Sequence, residues 1–228
     1  MKSPSFEEEK KLWKQGYKFV VGLDESGRGP LAGPVVAAAV FIVRQISTID
    51  QSMVLKIRDS KKLSEKQRNF YYTNLVNHEN IRWGVGIVSE KVIDKINILE
   101  ATKLAMQKAC AHILENVSMG FLLIDGNFKI NSKIVRQRLR QRLTLPDDNK
   151  QKSIIKGDEK VFSIAAAGII AKVTRDRIMR KMHKKYPAYG FNRHKGYGTA
   201  LHIKNLESFG PCKIHRKTFR PVGNVAKN

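Results

Sequence analysis

Residues 19–43, FVVGLDESGRGPLAGPVVAAAVFIV, place two acidic residues and a glycine-rich turn between two apolar runs. The first run, Phe19 to Leu23, is too short for a helix and is rich in valine, which favours a β-strand. The second run, Val35 to Val43, has the composition of a buried strand. The pattern therefore predicts a strand–turn–strand unit with Asp24 and Glu25 at the end of its first strand.

The rest of the chain alternates short apolar runs with longer stretches of helical periodicity. Further strands are predicted at residues 81–89, 120–125 and 153–158. Helices are predicted within residues 59–80 after an N-cap at Ser64, at 89–117 as one helix or two, at 162–186 and at 199–209. Strands that alternate with helices predict an α/β fold around a central sheet.

The composition is typical of a soluble protein and favours a polyanionic partner, with solubility alone as the alternative explanation for part of the charge. Its 228 residues carry 43 Lys and Arg against 20 Asp and Glu, a formal net charge of +23. Such a field attracts polyanions, of which nucleic acid is the usual example. Charge alone does not separate DNA from RNA, or an enzyme from a coat protein.

Signals for export or membrane insertion are missing from the sequence. It has no run of eighteen apolar residues, and its charged N-terminus lacks the apolar stretch of a secretory signal. Cys110 and Cys212 form neither a CxxC pair nor a Cys/His cluster, which argues against a zinc site and a disulfide framework. We therefore expect a cytoplasmic protein that does not bind membranes.

Four acidic residues are candidates for catalysis. Asp24 and Glu25 follow one apolar run, Asp125 ends a second, and Asp158 follows Lys156 and Gly157 in a third. Strand ends are where α/β proteins build their sites, and clustered buried acids are costly without a cation. Mg²⁺ and Mn²⁺ prefer oxygen ligands. A basic protein with such an acidic cluster suggests metal-assisted phosphodiester cleavage, although each acid alone is more often a turn former or a helix cap.

A glycine–arginine–glycine tripeptide, Gly27, Arg28 and Gly29, follows the acid pair directly. Two glycines let the backbone approach a ligand closely, and amides with an arginine hold phosphate or hydroxyl oxygens. Taken alone the tripeptide is a weak signal, because it is more often just a turn. No dinucleotide or Walker A motif is present in the sequence.

The segment GLDESGRGPLAGPVVAAAV at residues 22–40 resembles the signature of the ribonuclease HII family. Seven further segments resemble that family in the same order, so the resemblance runs from about residue 19 to residue 222. They are DSKKLS (59–64), IDKINILEATKLAM (93–106), LLIDGN (122–127), KGD (156–158), IAAAGIIAKVTRDRIM (164–179), YGFNRHKGYGT (189–199) and HRKTFRPV (215–222). The second and the last of these eight look more like the bacterial branch than the archaeal or eukaryotic one.

The resemblance implies a ribonuclease H-like fold with a central mixed sheet, flanking helices and a small helical C-terminal portion. It also implies a catalytic and metal-binding quartet, Asp24, Glu25, Asp125 and Asp158, which would hold two divalent ions, Mg²⁺ or Mn²⁺. The expected activity is hydrolysis of the RNA strand of RNA–DNA hybrids and nicking 5′ of single ribonucleotides in duplex DNA. The products would carry 5′-phosphate and 3′-hydroxyl ends, and the cellular roles would be primer removal and ribonucleotide excision.

The resemblance further implies substrate-binding residues. Gly27, Arg28 and Gly29 match the motif that reads the 2′-hydroxyl group, which distinguishes RNA from DNA. Tyr197 matches the tyrosine that stacks on the sugar beside the cleavage junction, whereas without the family it is a loop aromatic. Candidate phosphate contacts are the basic residues Lys61, Lys62, Lys172 and Arg175, for each of which a solvated basic face is an equal alternative. We expect a monomer.

The sequence departs from the family pattern in two places. Asp125 and Asp158 are 33 residues apart, longer than the family leads us to expect. The intervening basic segment, residues 128–152, alternates basic and apolar residues; a hairpin that grips the hybrid is slightly favoured over an insertion without function. Gly168 stands where serine is common, which removes a hydroxyl and lowers helix stability by roughly 1 kcal/mol relative to alanine. The six histidines show no metal-ligand spacing and are interpreted as structural or surface groups.

Three divisions of the chain are predicted: a polar N-terminal extension at 1–17, a catalytic domain at 18–190 that contains the basic insertion, and a C-terminal helical and basic segment at 191–228. Three other functions compete with ribonuclease HII. Ribonuclease HIII is disfavoured by Arg28 and by the short lead-in. A non-catalytic binder of hybrids or structured RNA is disfavoured by the four acids, which weaken phosphate binding unless a metal is present. A resolvase-type nuclease is disfavoured by the two glycine-rich motifs.

Overall fold

The computed structural model describes residues 4–43, 57, 63–113, 120–130 and 148–225. Within them, five strands form one sheet: β1 (Phe19–Ser26), β2 (Val35–Ile42), β3 (Ile81–Val88), β4 (Gly120–Asp125) and β5 (Gln151–Ile154). The strand order is β3-β2-β1-β4-β5. Strands β1 to β3 pair antiparallel, whereas β4 pairs parallel with both β1 and β5. The predicted α/β fold with a central mixed sheet is confirmed.

Seven helices accompany the sheet in the described part of the chain. They are α1 (Glu7–Lys14), α2 (Glu65–Asn77), α3 (Glu90–Ile113), α4 (Phe162–Lys185), α5 (Phe191–His194), α6 (Ala200–Phe209) and α7 (Val222–Val225). Single 3₁₀ turns lie at residues 148–150, 157–159 and 187–189. Among these helices, none is long and apolar enough to cross a membrane.

Helices α4 and α3 cover opposite faces of the sheet, because alternate strand residues point to opposite sides. Val20 and Leu123 pack with α4, whereas Leu23 and Ile124 pack with α3. Glycine allows the close approach of α4, since a Cβ on Gly22 would lie 2.3 Å from the Ser163 carbonyl carbon. The start of α4 therefore rests directly on β1, two residues before Asp24.

Two of the predicted helices begin or break where a side chain caps the backbone. Ser64 accepts the backbone N–H of Gln67 and the Gln67 side chain accepts the Ser64 N–H, so the predicted N-cap is confirmed. Asn97 interrupts α3 with a φ of 64°, and its side-chain oxygen accepts the N–H groups of Leu99 and Glu100. The stretch predicted as one helix or two is thus two helical segments that meet at Asn97.

The surroundings of Asp158 differ from the prediction. The strand expected at residues 153–158 ends at Ile154, and Asp158 lies in the 3₁₀ turn Gly157–Glu159. Lys156 has left-handed backbone angles, φ 55° and ψ 47°, which no β-strand can continue. Asp158 therefore approaches the sheet from the turn before α4 rather than from a strand end.

The N-terminal segment, residues 4–18, packs into the core even though its sequence reads as a polar extension. Phe6, Leu12 and Trp13 are buried in the cluster beneath α4. Glu9 is also buried, and its Oε1 accepts the backbone N–H of Ser163 at 2.9 Å. The carboxylate thereby satisfies one of the N–H groups that the first turn of α4 leaves without a partner inside the helix.

The C-terminal segment, residues 186–225, contains the short helices α5, α6 and α7, as the predicted helical C-terminal portion requires. Asp94 on α3 ties it to the sheet domain: Oδ2 accepts the Lys217 N–H at 2.9 Å, and Oδ1 accepts the Thr218 N–H at 3.0 Å and hydroxyl at 2.7 Å. The domain boundaries drawn from the sequence stay predictions, because the contacts of both terminal segments cross them.

Candidate active site

Asp24 and Asp125 lie at the same end of two neighbouring parallel strands. The last paired residues of β1 and β4 are Leu23 and Ile124, both of which face α3. Asp24 and Asp125 come next in each strand and therefore face the opposite side, towards α4. Adjacent strands are about 4.8 Å apart, so the register brings these two carboxylates close together.

Asp158 joins this pair through the turn that precedes α4. The backbone N–H of Gly157 donates to Oδ1 of Asp125 at 2.7 Å, which holds the turn against the end of β4. A Cβ on Gly157 would lie 2.7 Å from Cδ1 of Ile164, so a larger residue there would push the turn away. Asp158 is only 7% exposed. Gly157 and the buried Asp158 thus form one side of the site.

Glu25 follows Asp24 and connects the acids to the glycine–arginine–glycine loop. Its backbone N–H donates to Oδ1 of Asp24 at 2.6 Å, and its Oε1 lies 3.4 Å from Nη1 of Arg28. The Arg28 guanidinium carbon also lies 5.8 Å from the ring centre of Phe128, just beyond β4. Arg28 is therefore held between the acid pair and the segment that follows Asp125.

The electrostatics of Asp24 reflect this crowding of carboxylates. Burial raises the pKa of Asp24 well above its ordinary value, and the negative charges of Glu25, Asp125 and Asp158 raise it further. Like charges brought close to a buried carboxylate disfavour its ionisation. The other three predicted acids therefore each act electrostatically on Asp24, and a cation would relieve this repulsion.

The donor chemistry of these carboxylates fits a hard divalent cation, which takes oxygen ligands. Their present side-chain positions are not arranged around such an ion: among the described residues, no three Asp, Glu, His or Cys side chains are placed to hold one together. If a divalent ion binds here, the carboxylates that could hold it are those of the acid cluster around Asp24: Asp24, Glu25, Asp125 and Asp158.

Two buried arginines fix the loop between β1 and β2, which carries the glycine–arginine–glycine motif. Arg216 donates from Nε to the Gly33 carbonyl at 3.0 Å, from Nη1 to that of Arg28 at 2.8 Å and from Nη2 to that of Gly27 at 2.6 Å. Arg175 donates to the carbonyls of three residues at 3.0–3.1 Å: Ala32, Pro34 and Lys195. Burial lowers the pKa of Arg175 to about 10 and that of Arg216 to about 9, so both stay charged at neutral pH.

These contacts orient the amides of the loop. In the described chain, the only cis peptide bond is Arg220–Pro221, so the bonds that follow Gly27 and Arg28 are trans. In a trans peptide the C=O and the next N–H point in opposite directions. Because Arg216 holds the carbonyls of Gly27 and Arg28, the N–H groups of Arg28 and Gly29 point away from it.

The two glycines of the motif serve different purposes. Gly27 has a φ of 101°, and a Cβ there would lie 2.1 Å from Nε of Arg175. Only glycine fits this position without displacing the buried arginine. A Cβ on Gly29 would meet no atom within 4 Å, so Gly29 leaves the backbone open to an approaching ligand.

One open cleft of about 200 Å³ brings most of the predicted site residues together. Its wall is formed by Asp24, Glu25, Ser26, Gly27, Arg28, Gly29, Gly168, Lys172 and Tyr197. Tyr197 is 42% exposed in this wall. Gly168 also lies in the wall, so the hydroxyl that a serine would carry at this position is absent from the cleft. Asp125 and Asp158 are not among these lining residues, but their charges raise the pKa of Asp24.

The candidate phosphate contacts separate into three cases. Lys172 lines the cleft, where its Nζ lies 2.7 Å from Oδ1 of Asp176. Arg175 is fully buried and binds backbone carbonyls, so a phosphate cannot reach it, and the prediction that it contacts phosphate is corrected. Lys61 and Lys62 lie outside the described residues, as does most of the basic insertion, residues 131–147.

The sequence interpretation assigned no individual role to several side chains that support the site, all of which except Asp94 are buried. These are Glu9, Asp94, His202, His215 and Arg216. Glu9, Asp94 and Arg216 each bind a partner more than a hundred residues away, and His202 and His215 bind each other within the C-terminal segment. No local spacing in the sequence reveals such contacts. The available signals were that Asp94 lies in IDKINILEATKLAM, and His215 and Arg216 in HRKTFRPV, two segments that resemble the ribonuclease HII family.

Comparison with known proteins identifies the family of the chain. The family model described as Ribonuclease HII matches residues 21–222. A curated protein of Chlamydia caviae named Ribonuclease HII is 47% identical over 220 residues, which are 96% of this chain and 92% of that protein.

Two solved structures share the fold. The ribonuclease H2 from Pyrococcus horikoshii OT3 superposes with a TM-score of 0.66 at 24% identity, covering 92% of this chain and 97% of that one. Bst-RNase HIII in complex with Mn²⁺ superposes with a TM-score of 0.71 at 16% identity, covering 92% and 70%. The fold is that of the ribonucleases H. By sequence, the chain belongs to the ribonuclease HII family and is a type 2 ribonuclease H.

Proposed function

We propose that this ribonuclease H hydrolyses the RNA strand of RNA–DNA hybrids and also nicks duplex DNA on the 5′ side of a single embedded ribonucleotide. The observation that carries the proposal is that the acids Asp24 and Glu25 share one cleft with the glycine–arginine–glycine loop. A group that reads the sugar and a group that serves the phosphate chemistry are thus neighbours. The products would have 5′-phosphate and 3′-hydroxyl ends.

Recognition of the ribonucleotide is assigned to the backbone of the loop. The N–H groups of Arg28 and Gly29 point away from the buried Arg216, and Gly29 has no atom within 4 Å of its Cβ position. A 2′-hydroxyl is small and both donates and accepts hydrogen bonds, so backbone amides suit it. A site built to bond a hydroxyl rejects the analogue that lacks it, which gives selectivity against DNA.

Tyr197 is assigned to the sugar beside the cleavage junction. Its ring is 42% exposed on the wall of the cleft, and the guanidinium carbon of the buried Arg175 lies 5.8 Å from the ring centre. An exposed aromatic ring offers an apolar face on which a sugar ring can pack. The proposal therefore gives Tyr197 a binding role and leaves the bond breaking to the acids.

The four carboxylates are assigned to divalent metal ions, Mg²⁺ or Mn²⁺. The mutual repulsion that raises the pKa of Asp24 supports this assignment, as does the likeness in fold to Bst-RNase HIII, whose structure is a complex with Mn²⁺. When bound, two such ions would activate a water for attack on phosphorus and stabilise the leaving oxygen. Asp24 would hold the central position, because Glu25, Asp125 and Asp158 all act on it.

Phosphates flanking the junction are assigned to the positive surface of the protein. Lys172 is the described lysine that lines the cleft, and a net charge of +23 favours binding of a duplex as a whole. All of the assigned groups belong to one chain, so the proposal needs only a single copy of the protein for each nick.

The test of this function is the variant Gly29→Ala, compared with the wild type on a duplex that contains one ribonucleotide. The added methyl meets no protein atom, so the free energy of unfolding should change little. It would occupy the space where the sugar approaches, so we expect KM to rise about tenfold or more, the scale of losing a bound hydroxyl contact. The measurement is steady-state cleavage beside urea unfolding.

Gly27→Ala is the matched control. Its Cβ would collide with Arg175 and its φ is positive, so we expect lower stability as well as lower activity. If Gly29→Ala cleaves like the wild type, the loop does not read the ribonucleotide. If the wild type cuts long hybrids but ignores a single ribonucleotide, the function is closer to that of ribonuclease HIII.

A further inference from the structure

The position of Tyr197 depends on how its backbone is held. Its neighbours are Gly196 and Gly198, and its ring is 42% exposed, with the guanidinium carbon of Arg175 5.8 Å from the ring centre. The flanking backbone is fixed instead: the Gly196 carbonyl accepts the Leu31 N–H at 2.8 Å, and the Tyr197 N–H donates to the His194 carbonyl at 2.9 Å. The Tyr197 carbonyl accepts the Thr199 N–H at 2.8 Å and has a second lone pair, through which a side chain can also orient the residue.

A chain of histidines ends on that carbonyl. Nδ1 of His202 lies 2.9 Å from the carbonyl oxygen of Tyr197, and Nε2 of His202 lies 3.1 Å from Nε2 of His215. The backbone N–H of Cys212 donates to Nδ1 of His215 at 2.9 Å. Both ring nitrogens of each histidine are therefore engaged, and both rings are buried at 0% and 2% exposure.

The partners fix where the protons lie. Nδ1 of His215 accepts from an N–H, so its Nε2 carries the proton and donates to Nε2 of His202. A carbonyl can only accept, so Nδ1 of His202 must carry the second proton and donate to Tyr197. Each ring is neutral in this pattern, and all the hydrogen bonds run in one direction, from Cys212 to Tyr197.

A third histidine holds the same loop from the other side. Nδ1 of His194 accepts the N–H of Gly196 at 3.1 Å, and its Nε2 donates to the Tyr189 carbonyl at 2.8 Å. Its ring stacks on that of His202 with 4.4 Å between centres. The two rings thus form hydrogen bonds with consecutive residues, His194 with the Gly196 N–H and His202 with the Tyr197 carbonyl.

We infer that His202 is a positioning residue, whose Nδ1–H bond to the Tyr197 carbonyl fixes the aromatic ring in the position where it contacts the bound sugar. The inference rests on the proposed function, which gives Tyr197 its contact with substrate. His202 itself touches neither substrate nor metal, since its ring is buried and both of its nitrogens are bonded within the protein. Burial lowers the pKa of His202 and brings that of His215 to about 4, which keeps the chain neutral at physiological pH.

Two amide substitutions separate the two hydrogen bonds of His202. In His202→Asn the side-chain NH₂ takes the place of Nδ1 and still donates to Tyr197, whereas the bond to His215 is lost. In His202→Gln the amide reaches the place of Nε2, so it accepts from His215 but no longer reaches Tyr197. Both variants remove one buried hydrogen bond, so their free energies of unfolding should fall by similar amounts. They differ in the bond that is kept: only His202→Asn keeps the bond to Tyr197.

The experiment measures kcat and KM on the duplex with one ribonucleotide. We expect His202→Asn to keep the wild-type KM within about twofold, and His202→Gln to raise it about threefold to tenfold with kcat nearly unchanged, as for the loss of one oriented contact. A purely structural role would lower the active fraction, and hence the apparent kcat, equally in both variants. Equal KM values for the two variants would overturn the inference.

The Tyr197→Ala background separates this inference from the proposed function. If His202 acts through Tyr197, then His202→Gln has no further effect on KM once the ring is gone. An effect that persists there overturns the inference alone. If Tyr197→Ala leaves KM unchanged, the proposed sugar contact fails and the inference fails with it.

A measurement on the wild-type protein covers the case in which these variants do not fold. Nitrogen-15 NMR of the histidine rings should find His202 protonated on Nδ1 and His215 on Nε2. The opposite tautomer at His202 would break the bond to Tyr197 and overturn the inference.

Discussion

The N-terminal and C-terminal segments both support the active site, but they do so with opposite charges. Glu9, from the N-terminal segment, accepts the Ser163 N–H in the first turn of α4, just after Asp158. Arg216, from the C-terminal segment, donates to three carbonyls of the loop after Glu25. In each case the buried side chain has a charge opposite in sign to the partial charge of the backbone groups that it binds.

The two supports differ in strength. Burial raises the pKa of Glu9 to about 7, so its carboxylate is close to half protonated at neutral pH. Arg216 has a pKa lowered to about 9 and makes three hydrogen bonds rather than one. The C-terminal segment should therefore hold its part of the site more firmly, and substitutions in the two segments should differ accordingly in their effects.

The largest effect is expected for Arg216→Met. The apolar chain fills similar space but leaves the carbonyls of Gly27, Arg28 and Gly33 without their donor, so the free energy of unfolding should fall by about 3–5 kcal/mol. The amides of Arg28 and Gly29 would also lose their orientation. We expect kcat/KM on the single-ribonucleotide duplex to fall at least about tenfold, the scale of a lost hydrogen-bond contact in the transition state.

Arg216→Lys is the matched variant. It keeps the charge, but one ammonium cannot reproduce the fork that reaches three carbonyls. Its stability and activity should lie between those of the wild type and Arg216→Met, measured by urea unfolding and by cleavage. Two variants that lose equal amounts would show that the forked geometry, rather than the charge, is what the loop requires, whereas a Lys variant equal to the wild type would show that charge alone suffices.

A smaller effect is expected at Glu9. In Glu9→Ala the Ser163 N–H is left buried without its acceptor, at a cost of about 1–2 kcal/mol in the free energy of unfolding. Glu9→Gln keeps an uncharged oxygen in the same place and should be at least as stable as the wild type above pH 7. A Gln variant as unstable as the Ala variant at pH 8 would show that the charge itself is needed there.

A further effect is a dependence of stability on pH, with opposite signs in the two segments. The folded pKa of Glu9, about 7, lies above its ordinary 4.5, so its contribution is complete below pH 4.5 and is lost as the pH rises through 7. The folded pKa of His215, about 4, lies below the ordinary 6.5, so its contribution is complete above pH 6.5 and is lost as the pH falls towards 4. His194 and His202, which face His215, have lowered pKa values as well and act in the same direction.

Urea unfolding between pH 4 and 8 separates the two contributions. Glu9→Gln should remove the loss on the alkaline side and leave a steeper fall in acid. His215→Asn should lower stability throughout but flatten the acidic fall. A Glu9→Gln variant with the pH dependence of the wild type would contradict the assignment to Glu9.

Much of the sheet and its two long helices was predictable from local pattern. The valine-rich run before Asp24, the cap at Ser64 and the apolar stretch of α4 each carry their own signal, and the structure confirms them. The ends of the strands were less predictable. For example, β1 runs to Ser26 because it stays paired with β2 beyond Asp24 and Glu25. Asp158 lies in a turn because Lys156 has left-handed backbone angles, and residue preferences for secondary structure do not predict those angles.

The supports of the site could not be predicted for a different reason. Glu9 lies in a run of charged residues that reads as solvent-exposed, and only the packing of Phe6 and Trp13 against the core turns it inward. Arg175 and Lys172 look alike in the sequence, yet one is buried beneath the loop and the other lines the cleft. Burial of a charged side chain is decided by tertiary contacts, which one sequence does not contain.

Cleavage of a labelled DNA duplex that contains one ribonucleotide, with Mg²⁺ or Mn²⁺, tests the central claim most directly. The wild type should nick on the 5′ side of the ribonucleotide. Asp24→Asn should lose at least about a hundredfold in rate, as expected when a central electrostatic group is removed, and should bind the duplex as before. An unchanged rate for Asp24→Asn, or a wild type that binds the duplex and leaves it intact, would contradict the account.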